Sequence, residues 1–231
     1  MPFELTKQYL KALRKSVEAS NEEHLHELLK ELHPADIADV LDELDLHDAQ
    51  VVYQLLEEER ASEVLVHLED DVRDKFLASL SSREIAEQLI DNLESDDAAD
   101  VLSDLPDAQK VEVINLLEDK EQASDLVDLL NYQEGTAGAL MGKEFISVNK
   151  SWTVLHCVKE MRRQAEQLDY VYTVYVTDDQ EKLIGTLSIK KLLVTPSTTP
   201  IEQIYKPNVI SVTTDEAEED VANIMEKYDL V

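Results

Sequence analysis

The position of glycine limits the fold of this chain more than any other feature of its sequence. All four glycines lie after residue 134, at Gly135, Gly138, Gly142 and Gly185. Before them, apolar side chains recur three and four residues apart in short bursts, which is the spacing of one helix face. Pro34 and Pro106 each stand where a new burst begins, and proline is favoured in the first turn of a helix. Residues 1–131 are therefore predicted to form helices joined by short turns, without any strand.

The bursts repeat with a step of 24 residues. The first two copies are Ile37, Val40, Leu41 and Leu44, then Ala61, Val64, Leu65 and Leu68. Ile85 and Leu89 continue the step, although Gln88 replaces the valine. A step of this length holds about two short helices, and helix pairs that bury their apolar stripes on one another form a superhelix. The sequence thus predicts an all-α, solenoid-like first domain.

Beyond the glycine cluster the pattern changes from helical spacing to alternation. The expected order is a strand at 145–148, a helix at 154–165, strands at 170–177 and 183–188, and a helix at 189–194. After a linker at 196–200, a similar order begins again with a strand at 209–212 and a helix at 216–229, for which Asp215 is the expected N-cap. The second half is therefore predicted to be α/β.

Negative charge is concentrated in one part of the chain. The formal net charge is -30, and residues 35–134, with 30 acidic and 6 basic side chains, account for -24 of it. Nucleic acids and anionic lipid surfaces bind proteins through Lys and Arg, so this composition argues against both as partners. Metal ions and polycations are the partners that such a surface favours. A solubilising face is the alternative, but few bases are interleaved, so the face would repel itself.

Four aspartates of this block stand close together. Asp96, Asp100 and Asp104 are four residues apart and form one column on a helix, with Asp97 beside it. Each like-charge pair at this spacing costs about 0.2–0.5 kcal/mol, and a hard divalent cation would remove that cost by taking carboxylate oxygens as ligands. For Asp96 and Asp97, stabilisation by the helix dipole in the first turn is the alternative explanation. The column is a candidate metal site.

Three stretches together resemble the MgtE family of magnesium transporters and channels. They are the helical repeats with HPADIADVLDEL (33–44) and ESDDAADVLSDLP (94–106), the segment YQEGTAGALM (132–141), and the β-α-β-β-α order from 144 to 194, which looks like a CBS domain. The resemblance implies an acidic superhelical N domain at 1–131, a junction at 132–142, a first CBS domain at 143–200 and an incomplete second one at 201–231. The expected fold is multidomain, first all-α and then α/β.

The resemblance also implies the metal ligands. Glu63, Asp96, Asp97 and Asp100 match acidic positions of the family's N domain, and Glu219 and Asp229 match acidic positions of its second CBS domain. Ala217 stands where another acid is expected. The implied ion is Mg²⁺, for which Ca²⁺ or Mn²⁺ would substitute.

The function implied by the resemblance is that of a cytosolic magnesium sensor. Such a region belongs to a homodimer and closes the pore when Mg²⁺ bridges acidic faces of the N and CBS domains. The pore would be a transmembrane domain of the same full-length protein, which places this region at the cytoplasmic face of the cell membrane. No run of 18 apolar residues occurs here, so we expect a soluble fragment that does not itself span the membrane.

Two other functions stay open. CBS domains often bind adenosyl nucleotides, so the chain could be a nucleotide-responsive regulator, although Lys191 stands where many such domains carry the aspartate that binds ribose. ATP is therefore the less favoured ligand. A helical solenoid could instead be a scaffold that binds partner proteins. No enzyme is expected, because the sequence has no nucleophile–base pair, no phosphate-binding loop and no histidine spacing of a zinc site.

Overall fold

The structure is a computed structural model and describes residues 3–168 and 170–230. The chain divides into two compact units, residues 1–131 (unit 1) and 132–231 (unit 2). Unit 1 is all-α and unit 2 is α/β, which confirms the predicted fold class. Within the described residues no strand precedes Ile146, and no helix is both long enough and apolar enough to cross a membrane.

Unit 1 is built from short helices. Those that the structure describes are α1 (Lys7–Glu18), α2 (Glu22–Leu29), α3 (Pro34–Asp42), α4 (Leu46–Tyr53), α5 (Glu58–His67), α6 (Asp70–Leu77), α7 (Ser82–Glu84), α8 (Ser95–Ser103), α9 (Asp107–Leu116) and α10 (Lys120–Leu129). Helix α7 continues into a π-helix at Ile85–Leu89 and a 3-10 turn at Ile90–Asn92.

The 24-residue step is visible in the positions where helices begin. Helices α3, α5 and α7 begin at Pro34, Glu58 and Ser82, and α4 and α6 begin at Leu46 and Asp70. Helix α5 packs against both α3 and the π-helix. The residues that define the step are buried between them: Ile37, Val40, Leu41, Val64, Leu65, Ile85 and Leu89. The repeated stripe predicted from the sequence is therefore a core of unit 1.

The π-helix accounts for the imperfect third copy of the repeat. Ile85, Ala86, Leu89 and Ile90 are buried, whereas Gln88 is exposed. Because a π-helix makes a wider turn than an α-helix, the buried stripe shifts along the segment and Ala86 and Ile90 join it. No apolar residue is then needed at position 88.

Polar side chains link helices that are not consecutive in sequence. Arg14 donates a hydrogen bond to the Glu43 carbonyl at 2.8 Å, and Arg60 donates to the carbonyls of Leu29 and Leu32. Leu29 and Glu43 stand at the C-terminal ends of α2 and α3, where carbonyls lack a partner within the helix. These arginines therefore satisfy carbonyls at helix ends while they join α1 to α3 and α5 to α2.

Unit 2 contains a mixed sheet with helices packed on it. Its strands are β1 (Ile146–Asn149), β2 (Val174–Thr177), β3 (Leu183–Leu187) and β4 (Lys206–Pro207), adjacent in that order, with β1 and β2 parallel and the other pairs antiparallel. Its helices are α11 (Val154–Gln164), α12 (Ile189–Val194) and α13 (Glu218–Tyr228). The core joins the sheet to α11 and α12 through Val148, Cys157, Val176, Leu187 and Leu192.

Three predictions in unit 2 were wrong in detail. The strand expected at 170–177 begins only at Val174. This residue pairs with the first residue of β1 and the last residue of β3, so the described parts of those strands offer no partner to residues 170–173. Residues 209–212 form no strand, since no strand among the described residues pairs with them. The helix expected at 216–229 begins at Glu218, and its N-cap is Ala217 instead of Asp215.

Candidate metal centre

Helix α8 carries three of the predicted ligands. Asp96 and Asp97 lie in its first turn, and Asp100 follows one turn later. The opposite face of the helix is buried, through Ser95, Ala98, Ala99, Val101 and Leu102. This burial leaves Asp100 exposed and the other two aspartates half-buried. The N-terminal end of a helix favours negative charge, which stabilises Asp96 and Asp97 in particular.

Asp104, the third aspartate of the column, forms an ion pair. Arg73 Nε donates to Asp104 Oδ2 at 2.7 Å, and the same guanidinium contacts Asp70 at 3.0 Å. The Arg73 side chain is only 16% exposed, so it is a fixed partner and no mobile surface charge. Arg73 therefore holds Asp104 at the C-terminal end of the column, and Asp96, Asp97 and Asp100 are the three candidate ligands on α8.

Glu63 lies on a different helix of unit 1. It is exposed on α5, on the face opposite the buried residues Ala61, Ser62, Val64 and Leu65. Its position follows from the apolar repeat, because the residues on both sides of it must face the core. The burial pattern thus presents Glu63 to solvent, as a ligand that meets an ion at the surface requires.

Glu219 and Asp229 lie at opposite ends of α13. Glu219 is in the first turn, and Asp229 is the C-cap in the left-handed conformation, with φ 54° and ψ 47°, which aspartate tolerates. Ten residues of helix separate them by about 15 Å. The oxygens around a magnesium ion lie about 2.1 Å from it. These two carboxylates therefore cannot bind the same ion within one chain.

The candidate ligands do not form a closed cage. In the part of the chain that the structure describes, no three His, Cys, Asp or Glu side chains lie close enough together to hold a metal ion. The candidates fit Mg²⁺ by their chemistry, since Mg²⁺ prefers carboxylate oxygens, keeps several of its waters and needs only one or two carboxylates. Helix α8 supplies carboxylates of this kind close together in sequence, whereas Glu63, Glu219 and Asp229 lie on other helices. All six assignments stay predictions.

Two further acidic clusters in unit 1 were missed at the level of sequence. Asp42 is close to Asp39, Glu69 and Asp71, and Asp91 is close to Glu87, Glu118 and Asp119. Partial burial, reinforced by these like charges, raises the pKa of both the Asp42 and the Asp91 carboxyl. The Glu69 N–H donates to Asp42 and partly opposes the rise. Asp42 and Glu69 are about one repeat apart in sequence. The 24-residue step was therefore the signal that could have predicted that they are neighbours.

Two protein-family profiles match this chain. The profile of the MgtE intracellular N domain matches residues 32–135, and that of the CBS domain matches residues 137–196. The magnesium transporter MgtE of Thermus thermophilus is 32% identical over 219 residues, which are 94% of this chain and 49% of that protein. The magnesium transporter MgtE of Enterococcus faecalis is 36% identical over 104 residues, 45% of this chain and 23% of that protein. The chain thus spans about half the length of the first of these relatives.

Two solved structures are similar along nearly the whole chain. The cytosolic domain of the Mg²⁺ channel MgtE in complex with ATP is 32% identical, with a TM-score of 0.82, over 96% of this chain and 90% of that one. The soluble part of a magnesium transporter is 29% identical, with a TM-score of 0.76, over 97% of this chain and 88% of that one. These matches confirm the resemblance carried by the repeats, the junction and the CBS pattern: the chain belongs to the MgtE family.

Proposed function

We propose that this chain is the magnesium-sensing regulatory region of a magnesium channel or transporter, at the cytoplasmic face of the membrane that holds the rest of the protein. The observation that carries the proposal is the concentration of carboxylates in unit 1 of an MgtE-family chain. Residues 35–134 have a net charge of -24, and three aspartates share α8. The relatives are magnesium transporters by name, so the ion that these carboxylates would bind is also the ion to be regulated.

Magnesium acts in this proposal by relieving repulsion. Asp96 and Asp100 are one helical turn apart, and like charges at that spacing cost about 0.2–0.5 kcal/mol per pair. An ion between them removes this cost, and buried Val101 and Leu102 keep α8 in place while it does so. In the finer part of the proposal, the ion also takes ligands from the CBS region, and this bridging favours the closed pore. That sharing rests on the family resemblance and on charge.

A gate of this kind needs more than one ion. Moving a two-state equilibrium from 1:99 to 99:1 takes about 5.5 kcal/mol of differential binding. One ion that binds only the closed state contributes about 2.7 kcal/mol at 100 times its dissociation constant. At least two ions per gating unit are therefore required. Glu219 and Asp229 are too far apart along α13 to share one ion. This separation agrees with several weak magnesium sites instead of one strong site.

We also propose that the protein is a homodimer formed through its CBS region. Leu155 on α11 and Leu193 and Val194 on α12 are 67%, 79% and 72% exposed, which is unusual for large apolar side chains on two helices of one domain. A second copy would cover them. Light scattering tests this idea: Leu193→Glu should shift the mass toward the 26.2 kDa monomer, and a monomeric parent chain would contradict it.

Calorimetry combined with small-angle scattering tests the magnesium proposal. Titration with MgCl₂ should release or absorb heat at millimolar concentration and reduce the radius of gyration. The double variant Asp96→Asn, Asp100→Asn should weaken both effects. Glu23→Gln with Glu27→Gln is the matched control, because it removes the same charge at the same spacing from exposed positions on α2. Equal effects of the two double variants, or no response of the parent chain, would show that α8 carries only a solvated face.

Nucleotide binding by unit 2 is the second candidate function. One similar structure is a complex with ATP, and Tyr170 and Tyr172 of this chain stack with ring centroids 5.9 Å apart while 68% and 80% exposed. Exposed aromatic faces are suited to stacking on a purine base. Titration with ATP, without magnesium, tests the idea. Tyr172→Leu should weaken binding and Tyr228→Leu should not, and an ATP response that both variants retain would exclude this tyrosine pair as the site.

A further inference from the structure

The junction between the two units is fastened to α13. Residues 132–138 of unit 2 are here called the strap. Its residues 135–138 run antiparallel to residues 214–218, which lie about 80 positions later in sequence. The Ala137 N–H donates to the Glu216 carbonyl and the Gly138 N–H to the Thr214 carbonyl, both at 2.9 Å. Thr136 and Ala217 form a bridge between them. The segment that leaves unit 1 is therefore an ordered part of unit 2.

The strap also supplies the missing cap of α13. The N-cap residue is Ala217, whose methyl group cannot accept a hydrogen bond, and no side chain in the described part of the chain caps this helix end. Instead the N–H of Glu218, the first residue of the helix, donates to the Gly135 carbonyl at 3.1 Å. The first amides of a helix need such external acceptors. The strap and the first turn of α13 therefore stabilise each other.

Two glycines make this docking possible. Gly135 has φ +76°, a left-handed conformation that other residues adopt at a cost. At Gly138, a Cβ would collide with the Tyr132 ring and lie 3.0 Å from the Thr214 carbonyl oxygen. The glycine-rich composition of the junction thus reflects close backbone packing against the start of α13 and not only freedom to turn.

We propose that the strap couples the candidate metal ligand Glu219 to the chain segment that leaves unit 1. The coupling follows from connectivity: Glu219 comes directly after Glu218, whose amide the strap holds, and the strap begins at Tyr132, directly after the last residue of unit 1. A cation that orders the first turn of α13 then orders the strap, and by linkage an ordered strap favours the cation. The coupling rests on the proposed function, because that function identifies the ion. The docking of the strap on α13 is independent of the proposed function.

Residue-resolved amide hydrogen exchange tests the docking of the strap without any cation. Gly138→Ala should accelerate exchange about tenfold at residues 137–138, the effect of losing one or two backbone hydrogen bonds. It should also accelerate exchange at residues 218–221, far away in sequence. Gly142→Ala is the matched control, since Gly142 is exposed and lies outside the strap. Fluorescence of Trp152, the only tryptophan, reports whether unit 2 stays folded. Unchanged exchange at 218–221 in a folded Gly138→Ala chain would overturn the proposal.

A second comparison tests the coupling to magnesium. Millimolar MgCl₂ should slow exchange of the Ala137 and Gly138 amides in the parent chain but not in Glu219→Gln, which retains the cation-free protection because the strap bonds are made by backbone atoms. Magnesium heat in calorimetry with no change at these amides would overturn the coupling and leave the proposed function standing. If magnesium produced no heat, both the proposed function and the effect of magnesium on the strap would be overturned. The comparison of Gly138→Ala with Gly142→Ala would still decide whether the strap is docked on α13.

Discussion

Helices α8 and α13 both carry candidate metal ligands, yet they are held in different ways. Five of the nine residues of α8 are buried, whereas none of the residues Glu218–Tyr228 of α13 is buried. The ligands on α8 therefore stand on a helix that is packed into a core, whereas α13 is held at its first turn by the strap and has no buried side chain to fix the rest of it. Preorganisation favours affinity and freedom favours a conformational response. A sensor needs both, so the contrast suits the proposed function.

The electrostatic surroundings also differ between particular carboxylates of the two units, although hydrogen bonds from Ser81 lower the pKa of Glu84 in unit 1. In unit 1, partial burial and nearby acids raise the pKa of Asp42 and Asp91. In unit 2, hydrogen bonds from the Gln180 and Lys182 amides lower the pKa of Asp178. Asp42 and Asp91 thus meet like charges, while this loop aspartate of unit 2 has its own hydrogen-bond donors. Cations should therefore stabilise unit 1 more than unit 2.

The largest expected effect tests the difference in burial. Leu102→Ala removes a side chain of α8 that is 0% exposed, so it should lower the free energy of unfolding of unit 1 by about 2–5 kcal/mol. Met225→Ala on α13 removes a side chain that is 41% exposed and should cost less than about 1 kcal/mol. Thermal melts followed by circular dichroism measure both. Similar losses for the two variants would mean that α13 is covered in solution.

A second prediction concerns the ion pair at the end of α8. Arg73→Ala leaves Asp104 and Asp70 without their shared partner and should cost about 1–2 kcal/mol, more than an exposed pair and less than a fully buried one. It also returns Asp104 to the acidic column, so magnesium should recover part of the lost stability. Arg83→Ala is the control, because the Arg83–Glu87 pair is exposed and should contribute at most about 0.5 kcal/mol. Equal melting temperatures of the two variants would contradict this reading of Arg73.

The third prediction changes the start of α13. Ala217→Asn and Ala217→Asp each add a side-chain cap to a helix that has none, which should stabilise its first turn by about 1 kcal/mol. Only the aspartate adds a charge beside Glu219. Magnesium should therefore protect the amides of this turn more strongly in Ala217→Asp than in Ala217→Asn. Equal responses to magnesium would show that Glu219 does not bind the ion at this end of the helix.

The helical half of the fold was predictable because its signals are local. The spacing of apolar residues, the prolines at helix starts and the 24-residue step each depend on residues within one or two turns or one repeat. What could not be predicted depends on distant residues. The Arg73–Asp104 pair joins positions 31 residues apart, and the shift of the stripe in the π-helix depends on what packs against it. A local sequence pattern contains no information about this ion pair or about the contacts of the π-helix.

The α/β half shows the same limit more sharply. Residues 209–212 have the composition of a strand, but a strand requires a neighbour, and β-propensity says nothing about whether one is present. The three acids of α8 were predicted as a group because helical spacing alone brings them together. The role of the glycines at 135 and 138 was not, because it depends on residues 214–218, which meet them only in the folded chain.

The smallest expected effect tests the electrostatic contrast, with opposite signs in the two units. At neutral pH Asp91 is charged in both the folded and unfolded states, and its surroundings penalise that charge. Asp91→Asn should therefore stabilise unit 1 by about 0.2–0.5 kcal/mol, the scale of one like-charge pair. Asp178→Asn should instead destabilise unit 2, because a neutral amide accepts the Gln180 and Lys182 N–H groups less strongly than a carboxylate does.

The pH dependence separates these effects from general changes in packing. The folded-state pKa of Asp91 lies above its ordinary value of 3.8, so the penalty is present at neutral pH and is relieved as the pH falls through the raised pKa. The advantage of Asp91→Asn should shrink over that range, above 3.8. The folded-state pKa of Asp178 lies below 3.8, so its contribution is lost only as the pH falls below that value. The disadvantage of Asp178→Asn should therefore persist to lower pH than the advantage of Asp91→Asn. Urea unfolding across this pH range measures both changes in the free energy of unfolding. If both substitutions changed it in the same direction at neutral pH, the electrostatic contrast between Asp91 and Asp178 would be wrong.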